Sequence, residues 1–232
     1  MASDLRYTTR RSPRARRVRV SVHPDGAVEV VLPRKAPERA AAEAVAELRG
    51  WIEGRQAALA GALEELDRLP GTVPFLDETL RLVGEPGRTR AHRRGDLLFV
   101  PAEDPGDAIE RWYRRQARAE AAWRLDGACA RAGTRYSKLV IRGQRTRWAS
   151  CSADGTMSFN WRLMLAPAAV LDYVVEHEVC HLEVMDHSPR FWALLEARFP
   201  EWKACSRWLK RYGSTLTLDN LGVPTPGRSA TK

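Results

Sequence analysis

Long hydrophobic runs are missing from this sequence. The longest are a few residues, against the roughly 20 apolar residues that a spanning helix needs. The N-terminus passes from Met1-Ala2-Ser3-Asp4 into arginines with no apolar stretch behind them, so it lacks the core of a secretory signal. The expectation is a cytoplasmic protein with no membrane association. Cysteine is sparse: Cys129, Cys151, Cys180 and Cys205 form no CxxC pair and no disulfide framework, and reduced thiols follow. Histidine is sparse too. There are only five, and three of them fall within eleven residues. Internal repeats are absent.

The chain has 232 residues, 44% hydrophobic and 29% charged, enough for a real core and too apolar for wholesale disorder. Its net charge is +9, with seven arginines in the first twenty residues: Arg6, Arg10, Arg11, Arg14, Arg16, Arg17 and Arg19. Such a field attracts polyanions and also keeps a protein soluble. With no recognition fold beside it, nucleic-acid contact is a secondary expectation.

Residues 1–17 read as a basic N-terminal arm. Val18, Val20 and Val22 alternate with polar residues, Pro24-Asp25-Gly26 makes a turn, and a second strand fits 28–32, giving a hairpin. A helical pattern runs from Pro37 to about Leu69, with Gly50, Gly54 and Gly61 as weak points. Short strands fit 79–83, 89–92 and 97–100. A second helix spans about 106–132 and stops at Gly133. Strands follow at 139–141, 147–151 and 156–161, the last two joined by a reversal at Asp154-Gly155. Helices are then expected from about 168 to 184, from Ser188-Pro189, and from Pro200 to Gly213. The tail, 214–232, reads as flexible. The plan is α+β, with one domain over 18–213, divided into an N-terminal β/helical part (18–133) and a core (134–213).

The decisive string is His177-Glu178-Val179-Cys180-His181. On a helix, positions i and i+4 lie one above the other, so both imidazoles can reach one ion. Glu178 lies round the helix from that pair, beside the ion, where it can hold a water and accept its proton. Leu171, Val174, Val175, Val179 and Leu182 make the segment substantially buried, and polar groups there need partners. A catalytic zinc usually has three protein ligands and an open position. His187 supplies the third if the helix ends at Met185-Asp186 and Ser188-Pro189 launches the next one. The H-E-x-x-H-x5-H spacing resembles that of metzincin proteases, with Val184 where those enzymes place a glycine. Glu196 and Glu201 are alternative third ligands of the gluzincin type, and Cys180 stays open as a ligand. His23 and His92 are unassigned.

The run from Arg142 to Ser152 sets three arginines and small polar residues around Trp148. One reading is a solvated loop anchored by the tryptophan. The other brings Arg142, Arg145 or Arg147 to the metal, where a guanidinium could hold a carboxylate, phosphate or developing oxyanion. Asn160 and Trp161, at the end of the next strand, could line the cleft. If 156–161 lies beside the catalytic helix, its edge could take an extended peptide by strand addition.

These strings together resemble the YgjP-like metallopeptidase domain family, a WLM-related group: Arg145-Thr-Arg-Trp-Ala-Ser-Cys-Ser152, Gly155 to Leu163, Leu171 to His181, and His187-Ser-Pro-Arg-Phe-Trp192. The likeness extends to Arg16–Val20 and Trp208–Gly213. It implies a zincin-like minimal metalloprotease core, a small sheet packed against the HExxH helix and a following helix. His177, His181 and His187 then fall on metal positions, Glu178 on the general base, and Trp148 with Cys151 on a W-x-S-C signature in which Ala149 replaces the usual glycine. The expected function is hydrolysis of amide bonds in a peptide substrate, with one zinc ion per chain. Two alternatives stay open: a metal-dependent hydrolase of nucleotides or phosphate esters, and a non-catalytic basic nucleic-acid-binding module with a structural metal.

Overall fold

The computed structural model describes residues 5–144 and 147–223 and divides into two compact units, Met1–Asp67 and Arg68–Lys232. The division therefore falls at residue 67 and not at 133, because the helix that ends at 132 is packed within the second unit. Among the described residues no helix is long and apolar enough to cross a membrane.

In the first unit, β1 (Tyr7–Ser12), β2 (Arg19–Val22) and β3 (Val28–Pro33) form a sheet of order β1-β3-β2. The expected β2/β3 hairpin is present, and part of the supposed arm is strand β1, parallel to β3. The hairpin turns through Gly26, whose φ of 81° is cheap only for glycine. Helices α1 (Arg39–Glu47) and α2 (Arg49–Glu65) replace the single long helix. The break sits at Leu48, while Gly50, Gly54 and Gly61 lie inside or at the start of α2 without stopping it. Val28, Val30 and Leu32 bury against Ala41, Val45 and Ile52.

The second unit begins with β4 (Thr72–Phe75), β5 (Glu78–Glu85), β6 (His92–Arg94) and β7 (Leu97–Pro101), in the order β4-β5-β7-β6. Strand β4 escaped the sequence reading because Pro74 interrupts it; at a sheet edge that proline is tolerated. Helix α3 (Gly106–Ala132) is the pillar. Ile109, Trp112, Tyr113, Ala117, Ala121, Leu125 and Ala128 recur at helical spacing and are all buried. Gly133, at φ 66°, ends the helix in the left-handed conformation, and the Thr134 N–H closes on the Cys129 carbonyl at 3.0 Å.

A mixed sheet follows, with β8 (Lys138–Arg142), β9 (Ala149–Cys151) and β10 (Thr156–Asn160) in the order β8-β10-β9. β10 is central: β8 runs parallel to it and β9 antiparallel. A 3-10 turn at Trp161–Leu165 leads to α4 (Ala168–Cys180), α5 (Pro189–Arg198) and α6 (Trp202–Tyr212). α4 packs on α3, β9, α5 and α6. This α+β layout sets a small sheet against the histidine-bearing helix, with further helices after it. Leu216, Leu218 and Val223 are buried in the core, so residues 214–223 are not the loose tail expected of them. Residues 224–232 lie outside the described residues.

Trp148 acts as an anchor. It packs against the core, and its ring lies so close to Gly213 that an added Cβ would stand 2.8 Å from Cζ2. Gly213→Ala should therefore cost about 1–3 kcal/mol. We expect a melting temperature lower by about 2–4 °C per kcal/mol, with a changed tryptophan emission. An unchanged melt would refute the close packing.

Candidate metal centre and active site

Helix α4 is buried on nearly every side, which restricts what its polar residues can do. His181, Glu176 and Glu178 are 7%, 6% and 5% exposed. Each has a different solution. Glu176 pairs with Arg131 on α3. His181 donates from Nδ1 to the Val184 carbonyl at 3.0 Å, which fixes its tautomer and leaves Nε2 free. Glu178 receives the backbone N–H of Cys151, while its Oε2 is buried with no partner.

The donor atoms of His177, His181 and His187 lie within 4.8 Å of one another. The Nε2 atoms of His177 and His187 are 3.1 Å apart. All three rings stand on Phe191, which is fully buried; the centroid distances are 4.9, 4.5 and 4.8 Å. Trp192 flanks His187 at 5.6 Å and stacks on Trp202 at 4.7 Å. Burial, then the neighbouring imidazoles, pushes His177 down to about 3, and burial lowers His181 as well. Neutral imidazoles are the ligand form. The donor set fits one divalent cation: three converging imidazoles, two of them held uncharged.

The chain reaches His187 without the glycine turn. α4 tightens at its end, with Leu182, Glu183 and Val184 N–H groups bonding to Val179 and Cys180 carbonyls at 2.9–3.1 Å. Val184 is not among the positive-φ residues and buries its side chain. A β-branched residue thus suits the position, because no left-handed conformation is required. Asp186 then accepts the Ser188 N–H at 3.1 Å, and Pro189 opens α5. Ser188 occupies the N-cap position, yet it makes no side-chain capping bond.

The alternative ligands are elsewhere. Cys180 is fully buried, and its Sγ accepts from Arg198 at 3.7 Å. Glu196 accepts from Trp202 and Lys203, which ties α5 to α6. Glu201 is exposed at the start of α6. Burial, with the Glu178 charge next, pushes the Cys151 thiol up to about 11, so it is no thiolate at neutral pH.

The arginines separate. Arg142 donates to Ser158 Oγ at 3.1 Å. Arg145 lies outside the described residues. Arg147 is exposed, and its charge is felt by Glu178. Asn160 does not line a cleft: it is 3% exposed and its amide is consumed by backbone. Nδ2 donates to the Gln144 carbonyl at 2.6 Å and more weakly to that of Arg147, and Oδ1 accepts the Arg162 N–H at 3.1 Å. Asn160 thus clamps the crossover between β8 and β9. Nor does β10 offer an edge, being paired on both sides. The edge strand beside α4 is β9. The even-numbered residues along and beside it bond toward β10, as in Ser152 N–H to the Thr156 carbonyl and Asn160 N–H to the Trp148 carbonyl. The N–H groups of Ala149 and Cys151 therefore face outward, and that of Cys151 meets Glu178.

Sequence reasoning did not find two parts of this arrangement. One is Phe191 as the floor beneath all three imidazoles, which looks like any core residue. The other is the Cys151 backbone, whose alternation along β9 was the available signal.

The YgjP-like, metallopeptidase domain model matches residues 16–212, and the chain belongs to that family. The domain is thus of a metal-dependent peptidase family. Among solved structures, the crystal structure of the metallopeptidase zymogen of Pyrococcus abyssi abylysin is similar at 24% identity and a TM-score of 0.37, over 40% of this chain and 95% of that one. No curated protein gives a significant match.

Burial is the largest influence on Glu178, with the Cys151 N–H and Arg147 opposing it, and the carboxyl is raised from 4.5 to about 7. In metal-free protein the folded state then holds a proton that the unfolded chain releases between those values. Stability from this group is present below about pH 4.5 and is lost as pH rises towards 7. His177 and His181, lowered, contribute in the opposite direction. Glu178→Gln removes one slope only. Melting of chelator-treated proteins should show E178Q gaining on wild type as pH rises from 4.5 to 7.5, by about 3 kcal/mol in total. A pH-independent difference would contradict the raised pKa.

Proposed function

We propose that the protein is a zinc-dependent peptidase in which His177, His181 and His187 hold the ion and Glu178 is the general base. The observation that carries this reading is a buried, partnerless carboxylate oxygen and three converging imidazoles on one short stretch of chain. Imidazole ligands and a three-residue set suit zinc among the common divalent ions. A zinc ion bound there supplies Lewis acidity, which lowers the pKa of a water and polarises a carbonyl.

The chain's own residues do the rest. Glu178 takes the proton of the attacking water on Oε2 and delivers it to the departing amine. The Cys151 N–H holds the carboxylate in one orientation. Phe191 and the Val184 carbonyl hold the imidazoles in theirs. The outward edge of β9 is the surface along which an extended peptide would lie by strand addition. Arg147, exposed near Glu178, is the one described arginine of the trio placed to attract a carboxylate or to offset a developing oxyanion.

Glu178→Gln preserves shape while removing the base. It should retain one zinc ion per chain and lose at least about 100-fold in turnover of quenched peptide substrates. Normal turnover by E178Q would overturn the assignment. Phosphate release from nucleoside triphosphates that disappears in E178Q, with no peptide cleavage by wild type, would move the substrate class to phosphate esters.

A further inference from the structure

The chain's surplus of positive charge is concentrated in one place. Residues 5–35 contain nine basic and two acidic side chains, a surplus of seven in a chain whose net charge is +9. None of the hydrolytic machinery lies there. The fold turns this composition into a surface. One side of the first unit's sheet carries Val28, Val30 and Leu32 against the helices. Side chains alternate along a strand, and directly paired residues share a face. The opposite side therefore carries Thr8, Arg10 and Ser12 of β1, Glu29, Val31 and Pro33 of β3, and Ser21 and Arg19 of β2.

Arg10 and Arg19 both pair with Val31 and so flank it, about 10 Å apart at the backbone. Both are exposed, as are Arg14, Arg16 and Arg17 in the link between β1 and β2. Acidic counterweights are few. Arg10 pairs with Glu29 at 3.1 Å, and Arg11 approaches Glu38 at 4.0 Å. Among the described residues no ion pair engages Arg14, Arg16, Arg17 or Arg19. These guanidinium groups stay in water, where they repel one another without compensation inside the fold.

We propose that this face of the N-terminal sheet binds the phosphate backbone of a nucleic acid strand, without base specificity. The chemistry favours phosphates. Guanidinium forks match phosphate oxygens bidentately. The Ser and Thr hydroxyls also on this face are common phosphate donors, and its one carboxylate, Glu29, is paired with Arg10. The face offers no aromatic or long aliphatic side chain for a bilayer, and stable membrane attachment needs an apolar anchor besides charge. The neighbouring turn, His23 to Gly26, adds one imidazole and one carboxylate only.

The test uses the full chain and a fluorescein-labelled 20-nucleotide single strand, with its duplex as a second arm, read by anisotropy across a salt series. Binding should be micromolar or tighter in 50 mM NaCl and should weaken steeply as salt rises. In the R14Q/R16Q/R17Q/R19Q variant, affinity should fall at least tenfold and the salt slope should shrink by about 3. R14Q/R16Q changes no strand residue and should weaken binding several-fold by itself, so a folding defect in the larger variant cannot hide the result. Arg→Lys at all four sites should restore most of the affinity. No binding by wild type in 50 mM NaCl would overturn the proposal. So would affinity within twofold of wild type in both glutamine variants, or binding to phosphatidylserine vesicles alone.

Discussion

A buried helix that carries titratable side chains can tolerate them only if each is paired, neutral or liganded, and α4 meets that constraint residue by residue. Glu176 takes a guanidinium, His181 a carbonyl, and Glu178 a single peptide N–H. What is left over is a set of converging imidazole nitrogens from His177, His181 and His187, and one buried carboxylate oxygen of Glu178 without a partner. Leaving those groups desolvated and unpaired would be costly. The surrounding fold is best understood as the apparatus that keeps them there. α3 backs the helix, Phe191 floors the rings, and β9 holds the carboxylate.

The same constraint explains which motif residues of the local sequence are structural. Trp148 fills the space against Gly213. Asn160 spends its amide on the crossover that delivers β9 to the helix. Arg142 is engaged with Ser158. The W-x-S-C segment acts through a main-chain N–H, with its thiol held protonated. Position along the chain suggested that Arg142 and Asn160 could meet a substrate or an oxyanion, whereas their polar atoms bond within the frame around β9.

Much of this was legible beforehand, for physical reasons. The i, i+4 histidines, the apolar stripe of α3, the Asp154-Gly155 reversal and the Gly133 stop are local signals, and local signals survive tertiary context. The failures involve partners distant in sequence. Strand β1 looked like an arm because its pairing lies with β3, some twenty residues on. β10 looked like an edge because β8 joins it in parallel across a crossover. The break at Leu48 fell between helices rather than at a glycine. Residues 214–223 looked loose because their apolar members, Leu216, Leu218 and Val223, are few and find their core only in three dimensions. The exit to His187, read at Met185-Asp186 with no glycine turn, is prepared by a tightened helix end over residues 182–184.

The account depends most on the three imidazoles acting as one ligand set. Zinc content after equilibrium dialysis tests it directly, comparing wild type with the H177A/H181A/H187A protein. One zinc ion per wild-type chain, and none held by the variant at the same free concentration, is the predicted result. Equal stoichiometry and affinity in the two proteins would contradict it.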